Sequence, residues 1–158
     1  MQYDQQEKHW GSAVHSTARP NLARTGLKPT RRNEVAGVAC EYLIKAILID
    51  KGFVVSTPDI STGYDFITDW DDGVINRVQV RSSCRPQPIQ RSKRKRYQIK
   101  TIRALGNYTV LIIHIQPTQT SYIIPWDALQ GPCVSLTEGR PNYYDQFIER
   151  WELLHTTH

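Results

Sequence analysis

The chain has 158 residues, 39% of them hydrophobic, with twenty Lys and Arg against fifteen Asp and Glu, a net charge of +5 and a pI near 9.2. That length makes one domain able to bury a core, and the charge favours a polyanionic partner. Nucleic acid is the natural candidate, while an acidic protein or a membrane surface is not excluded by charge alone.

Cys40, Cys84 and Cys133 are odd in number, far apart and in no CxxC pair. They argue against a disulfide scaffold and a zinc site, and fit a reducing, cytoplasmic setting. No apolar run is long enough to span a membrane, and no signal peptide is expected at the start.

Residues 1–30 mix Gln, His, Ser, Arg, Pro and Gly without a sustained period, predicting an arm or lead-in with Trp10 docked on the body. Residues 31–158 then form one domain. From Asn33 to Lys51 the residues Val35, Val38, Ala39, Tyr42, Leu43, Ala46 and Ile47 recur at helical spacings, with Asn33 as the cap, Lys51-Gly52 as the stop, and Cys40 as a small core residue. Phe53-Val54-Val55 predicts a short strand ended by Thr57-Pro58. Tyr64–Ile67 and Arg77–Arg81 predict a hairpin reversed at Asp69–Gly73. Residues 85–96, with two prolines and a basic run, predict a loop or strand edge, and Tyr97–Ile102 another strand. Tyr108–Ile115 is nearly continuous in apolar residues, as expected of a central strand buried on both faces. Ser121–Ile124 pairs next and stops at Pro125. Tyr144, Phe147, Ile148, Trp151 and Leu154 predict one apolar stripe on a terminal helix packed over the sheet. The order gives an α/β (α+β) fold, a mixed central sheet flanked by helices.

The hairpin carries the chemistry. Gln79 and Arg81 are two apart and share a face, Val78 and Val80 pack on the other, and Asp65 lies across from them. A carboxylate, an amide and a permanent cation suit a divalent metal beside a phosphate, as in a nuclease. A solvated cross-strand pair is the commoner origin of such a pattern, so the hairpin takes its weight from context. Arg91, Lys93, Arg94, Lys95 and Arg96 place five cations in six residues. Alone such a run is a solvated loop or localisation-like tract; beside this hairpin, phosphate contact or groove entry is the better reading. Arg31 and Arg32, expected before the first helix, form a second basic cluster, and Gln87 and Gln90 add amides suited to adenine edges. His9, His15, His114, His155 and His158 share no metal-ligand spacing: His114 is expected as a hydrogen-bonded core or edge residue, His155 and His158 on a frayed end. No nucleophile elbow or phosphate-cradling glycine loop is present.

From Gly37 to Leu129 the chain resembles the PD-(D/E)XK nuclease superfamily, in particular its small cyanobacterial and phage homing endonucleases with Gln in the signature strand. The residues that carry this are Gly37–Leu43 running to Lys51-Gly52-Phe53, then Pro58 and Tyr64–Ile67, then Val78-Gln79-Val80-Arg81, then Tyr122-Ile123-Ile124-Pro125. The resemblance implies a DNA endonuclease using Mg²⁺, with Mn²⁺ as a substitute, on a long specific duplex site. It implies Asp65 as the central metal ligand, Glu41 supporting the metal or its water, Gln79 replacing a carboxylate, the Val80 carbonyl completing the site, and Arg81 in the place of the family's lysine. Glu34, two turns from Glu41, is the reserve helix acid. Arg81 is a departure from that pattern, because a guanidinium does not accept a proton at neutral pH. A weak or inactive DNA-binding protein on the same fold, and a restriction or junction-resolving nuclease, therefore stay open as alternatives. Double-strand cleavage implies a homo-oligomer, a dimer or tetramer.

Overall fold

The structure, a computed structural model, describes residues 29–60, 63–71, 73–89, 94–101 and 107–156. Most of the expected arm, Trp10 included, therefore lies outside the described residues, as do Gln90, Arg91, Lys93 and His158. Helix α1 runs Pro29–Asp50. It begins on a proline, whose fixed φ and missing N–H suit a first turn, rather than at Asn33. Arg31 and Arg32 accordingly sit inside the helix and not before it.

The helix packs on a different stripe from the one its spacing predicted. Ala36, Cys40, Ile44 and Leu48 are buried, whereas Val35, Val38, Tyr42, Leu43 and Ile49 are exposed, Tyr42 by 70%. Both faces of α1 are apolar, so periodicity alone does not choose between them. The stop at Gly52 is as expected: Gly52 N–H donates to Ile49 O at 2.9 Å and Phe53 N–H to Leu48 O at 3.0 Å. These are the two bonds of a Schellman cap, with Gly52 at φ 95°.

The chain then lays down β1 (Val54–Ser56), β2 (Phe66–Asp69), β3 (Ile75–Ser83), β4 (Gln87–Pro88), β5 (Lys95–Lys100), β6 (Val110–Ile115), β7 (Thr120–Pro125) and β8 (Cys133–Thr137). One sheet has the order β1-β2-β3-β6-β7 and the other β4-β5-β8. All pairings are antiparallel except β3 with β6, so the larger sheet is mixed. The β2–β3 reversal falls where Asp-Gly predicted it, with Gly73 N–H on Trp70 O. Every residue of β6 is buried, as its composition required. β8 has no counterpart among the predicted strands: Cys-Val-Ser-Leu-Thr alternates cleanly but is only five residues long.

The terminal apolar residues do not form one helix. Tyr143–Phe147 and Trp151–His155 are two separate 3-10 turns. Between them Ile148 bridges to Tyr122, and Glu149 takes φ 52°, which breaks the stripe and turns its halves into different cores. Tyr144 and Phe147 join Tyr97, Ile99, Leu111, Ile113, Val134 and Leu136 between the two sheets. Trp151 and Leu154 join Cys40, Ile44, Leu48, Val78, Val80 and Ile112 between α1 and the larger sheet. His155 is not frayed: its ring packs edge-on to Trp70 at 4.4 Å and against Phe53 at 5.0 Å. The architecture is thus three layers, α1, a five-stranded sheet and a three-stranded sheet.

Candidate active site

The candidate site forms where β2 and β3 part. On the β2 side the ladder stops at Phe66↔Val78, while on the β6 side it continues to Ser83↔Ile115. Gly63, at φ 83°, belongs to the bend that brings the chain into β2. The edge of β3 beyond Val78 therefore lacks a strand neighbour on that side, and its backbone donors need another acceptor. Asp65 meets that need. Its own N–H donates to Val78 O at 2.8 Å, and its Oδ2 accepts the Val80 N–H at 2.7 Å.

The alternation on β3 does what the sequence indicated. Val78 and Val80 are buried beneath α1, and Gln79 and Arg81 turn the other way. Gln79, itself buried, donates through Nε2 to Asp65 Oδ2 and at 3.3 Å to Val80 O. Arg81 Nη1 donates to the same carbonyl at 3.3 Å.

Helix α1 supplies the second acid. Glu41 is half-buried, and burial, then the Asp65 charge, push its carboxyl above the usual range, with Arg81 pulling it back. Burial likewise raises Asp65, opposed by the Val80 N–H and then by Arg81. The two carboxylates and the guanidinium therefore act on one another. Glu34 is exposed on the helix, so Glu41 is the acid that α1 brings to the hairpin. Next to it, burial pushes the Cys40 thiol up to about 11, with a Ser82 hydrogen bond working against the shift. Sequence reasoning assigned Cys40 to the core but gave no sign that Ser82 would join it at the edge of the site.

The Asp65 carboxylate, the Gln79 amide and the Val80 carbonyl are linked by hydrogen bonds, and Glu41 lies within electrostatic reach of Asp65 and Arg81. Among the described residues no three His, Cys, Asp or Glu side chains gather, so neutral oxygens must complete any cation site. Such a donor set fits a hard cation of the Mg²⁺ or Mn²⁺ type. Gln79 now turns Nε2 to Asp65; half a turn about its last torsion presents Oε1 instead.

The basic residues divide. Arg31 is exposed and Arg32 half-buried on α1, while Arg94, Lys95 and Arg96 lead into and begin β5. His114 is a core residue, its Nδ1 3.1 Å from Ser121 Oγ.

A helix carrying an acid is laid over a mixed sheet whose second and third strands diverge at an Asp, a restriction-endonuclease-like fold. The same fold is found in the solved structure of a bacterial homing endonuclease, I-Ssp6803I. It superposes with a TM-score of 0.59 at 16% sequence identity, covering 77% of this chain and 91% of that one. No protein-family model and no curated protein matches the chain.

Proposed function

We propose that the chain is a metal-dependent DNA endonuclease of homing type, hydrolysing phosphodiester bonds in a specific duplex site. The observation that carries this reading is the Asp65–Gln79 contact where β2 and β3 separate, with Glu41 and Arg81 electrostatically coupled to Asp65. The likeness to I-Ssp6803I supports it at the level of fold.

In this reading Asp65 and Glu41 hold Mg²⁺, with Mn²⁺ as a substitute, and the Gln79 amide and Val80 carbonyl supply neutral oxygens. A bound divalent ion lowers the pKa of water and offsets charge on the attacked phosphate. The chain's own residues do the positioning. Val80 N–H fixes the rotamer of Asp65. Arg81 carries a fork of donors suited to a phosphate's oxygens and stabilises the charge that develops there. A guanidinium, already protonated, does not take the proton that attacking water releases. As water's oxygen bonds to phosphorus it gives its proton to solvent, the bond to the leaving sugar oxygen breaks, and that oxygen takes a proton from solvent.

Cutting both strands takes two such sites, hence at least two copies of the chain. The exposed apolar stripe Val35, Val38, Tyr42 and Ile49 on α1 supports self-association. The free state of Cys40, Cys84 and Cys133 supports a reducing, intracellular setting.

Replacing Arg81 tests its part: Arg81→Ala should slow plasmid cleavage in Mg²⁺ by roughly 10²-fold, and Arg81→Lys should keep most of the rate. Full activity in Arg81→Ala would remove Arg81 from the phosphate. Binding of DNA without cutting, by the unaltered chain and by Arg81→Lys alike, would favour the DNA-binding alternative.

A further inference from the structure

The outer face of the β4-β5-β8 sheet has no layer over it among the described residues. Tyr97 and Ile99 of β5, and Val134 and Leu136 of β8, point inward to the core. Arg96, Gln98 and Lys100 alternate with them, as do Ser135 and Thr137. The register sets Arg96 beside Thr137, Gln98 beside Ser135 and Gln87 beside Arg96. The outward face is therefore a grid of amides, hydroxyls and cations with no carboxylate in it. The neighbouring acid, Glu138, accepts the Tyr97 hydroxyl at 3.0 Å.

At one end of this face Arg94, Arg96 and Arg140 line a cavity of about 610 Å³ together with Ser135 and Thr137. The Nε of Arg96 is buried there without a hydrogen-bond partner, which leaves a donor awaiting an acceptor. A cavity lined by guanidiniums takes an anion, and phosphate matches their fork geometry.

The dimensions fit duplex DNA. β4 is only two residues long, so the face is in the main the β5–β8 ribbon, two strands about 4.8 Å apart, which a major groove about 12 Å wide admits. Same-face residues on β5 recur every ~6.8 Å, close to two base-pair steps of ~3.4 Å. The major groove of A-form RNA is too narrow for such a ribbon. Gln87 is six positions from Arg81, a reach of at most about 21 Å, less than one duplex turn of ~34 Å.

We propose that the outer face of β4-β5-β8 enters the major groove, with Gln98 reading base edges and Arg94, Arg96 and Arg140 seating a flanking phosphate. This rests on the reading of the chain as a duplex-DNA enzyme. It adds Gln98, Ser135, Thr137 and Arg140 to the residues that meet DNA.

Selection of duplexes from a randomised library by the full chain tests it, followed by binding at two salt concentrations and a plasmid-cleavage assay of the unaltered chain. The unaltered chain should enrich a shared motif. Gln98→Ala should lose about tenfold or more of the preference at one or two positions, and Gln98→Glu should move it towards cytosine. Arg140→Ala should keep the motif, weaken binding to every sequence and lower the salt slope by about one phosphate. Motif and salt slope unchanged in all three variants would overturn the proposal. An unaltered chain that cuts plasmid but enriches no motif would also overturn it, and would leave the nuclease reading standing. A motif altered as expected in a chain that never cuts would uphold the reading face and remove the nuclease.

Discussion

Asp65 holds three roles at once, as strand end, as acceptor for an orphaned N–H and as candidate ligand, and its stability cost follows from them. Burial raises its folded pKa above the ordinary value of 3.8. A raised carboxylate contributes stability below its unfolded value and loses that contribution as pH rises through its folded value, so at neutral pH the ionised form is a cost. Asp65→Asn should therefore raise Tm by about 2–4 °C while abolishing cleavage, the usual trade between stability and a functional site. A thermal melt that falls instead would show that the carboxylate is structural. His114 has the opposite sign. Burial lowers its folded pKa below 6.5, against the pull of Glu149. Above that pH both states are neutral and stability is flat. As pH falls through it, the unfolded chain gains a proton that the folded chain refuses. Urea titrations should show stability declining below pH about 6.5, and His114→Gln should flatten that limb. A limb of the same slope in the variant would assign the loss to other groups.

Helix α1 governs the candidate site through its end and its two faces. At Gly52 an added Cβ would lie 2.9 Å from two ring carbons of Trp70, on a backbone at φ 95°. Gly52→Ala should cost roughly 2 kcal/mol, from left-handed strain plus displacement of Trp70. A loss below about 0.5 kcal/mol would mean the cap yields easily. The opposite face of α1 carries Val38 and Tyr42, exposed by 50% and 70%. Tyr42→Lys should leave the fold intact and shift the chain to monomer in analytical ultracentrifugation. A monomeric unaltered chain at micromolar concentration would contradict self-association through α1.

The same helix shows what the sequence carried and what it withheld. Its stop was readable because Lys51-Gly52-Phe53 encodes a cap locally, whereas its start, expected at Asn33, lies at Pro29. Its buried face was not readable, because Ala36-Cys40-Ile44-Leu48 and Val35-Val38-Tyr42-Ile49 are both apolar, and packing partners decide between them. The Asp65–Gln79–Arg81 hairpin was readable from period-2 alternation and one Asp-Gly turn. Asp65's bond to Val80 N–H was not, since it depends on where β2 stops pairing. The 3-10 turns at the end were misread as one helix because Tyr144 to Leu154 keeps helical spacing across a break at Glu149 that spacing cannot register.

At the scale of the whole molecule, the three layers divide the work. The larger sheet and α1 build the acid pair, and the smaller sheet shares a core with β6 and β7 while leaving a basic outer face. In the proposed reading, substrate contact and chemistry come from separate layers, with one core on each side of the larger sheet, so binding and cutting should be lost independently.

The central claim, that Asp65 and its neighbours make a metal-dependent nuclease, is tested most directly by single-turnover cleavage of supercoiled plasmid. The unaltered chain and Asp65→Ala would be compared at equal DNA occupancy, with Mg²⁺ and with excess chelator. Nicked or linear product is expected only with the metal, at a rate at least about 10²-fold lower in Asp65→Ala. Equal rates in both proteins, or no product from an unaltered chain shown to be bound to its DNA, would contradict it.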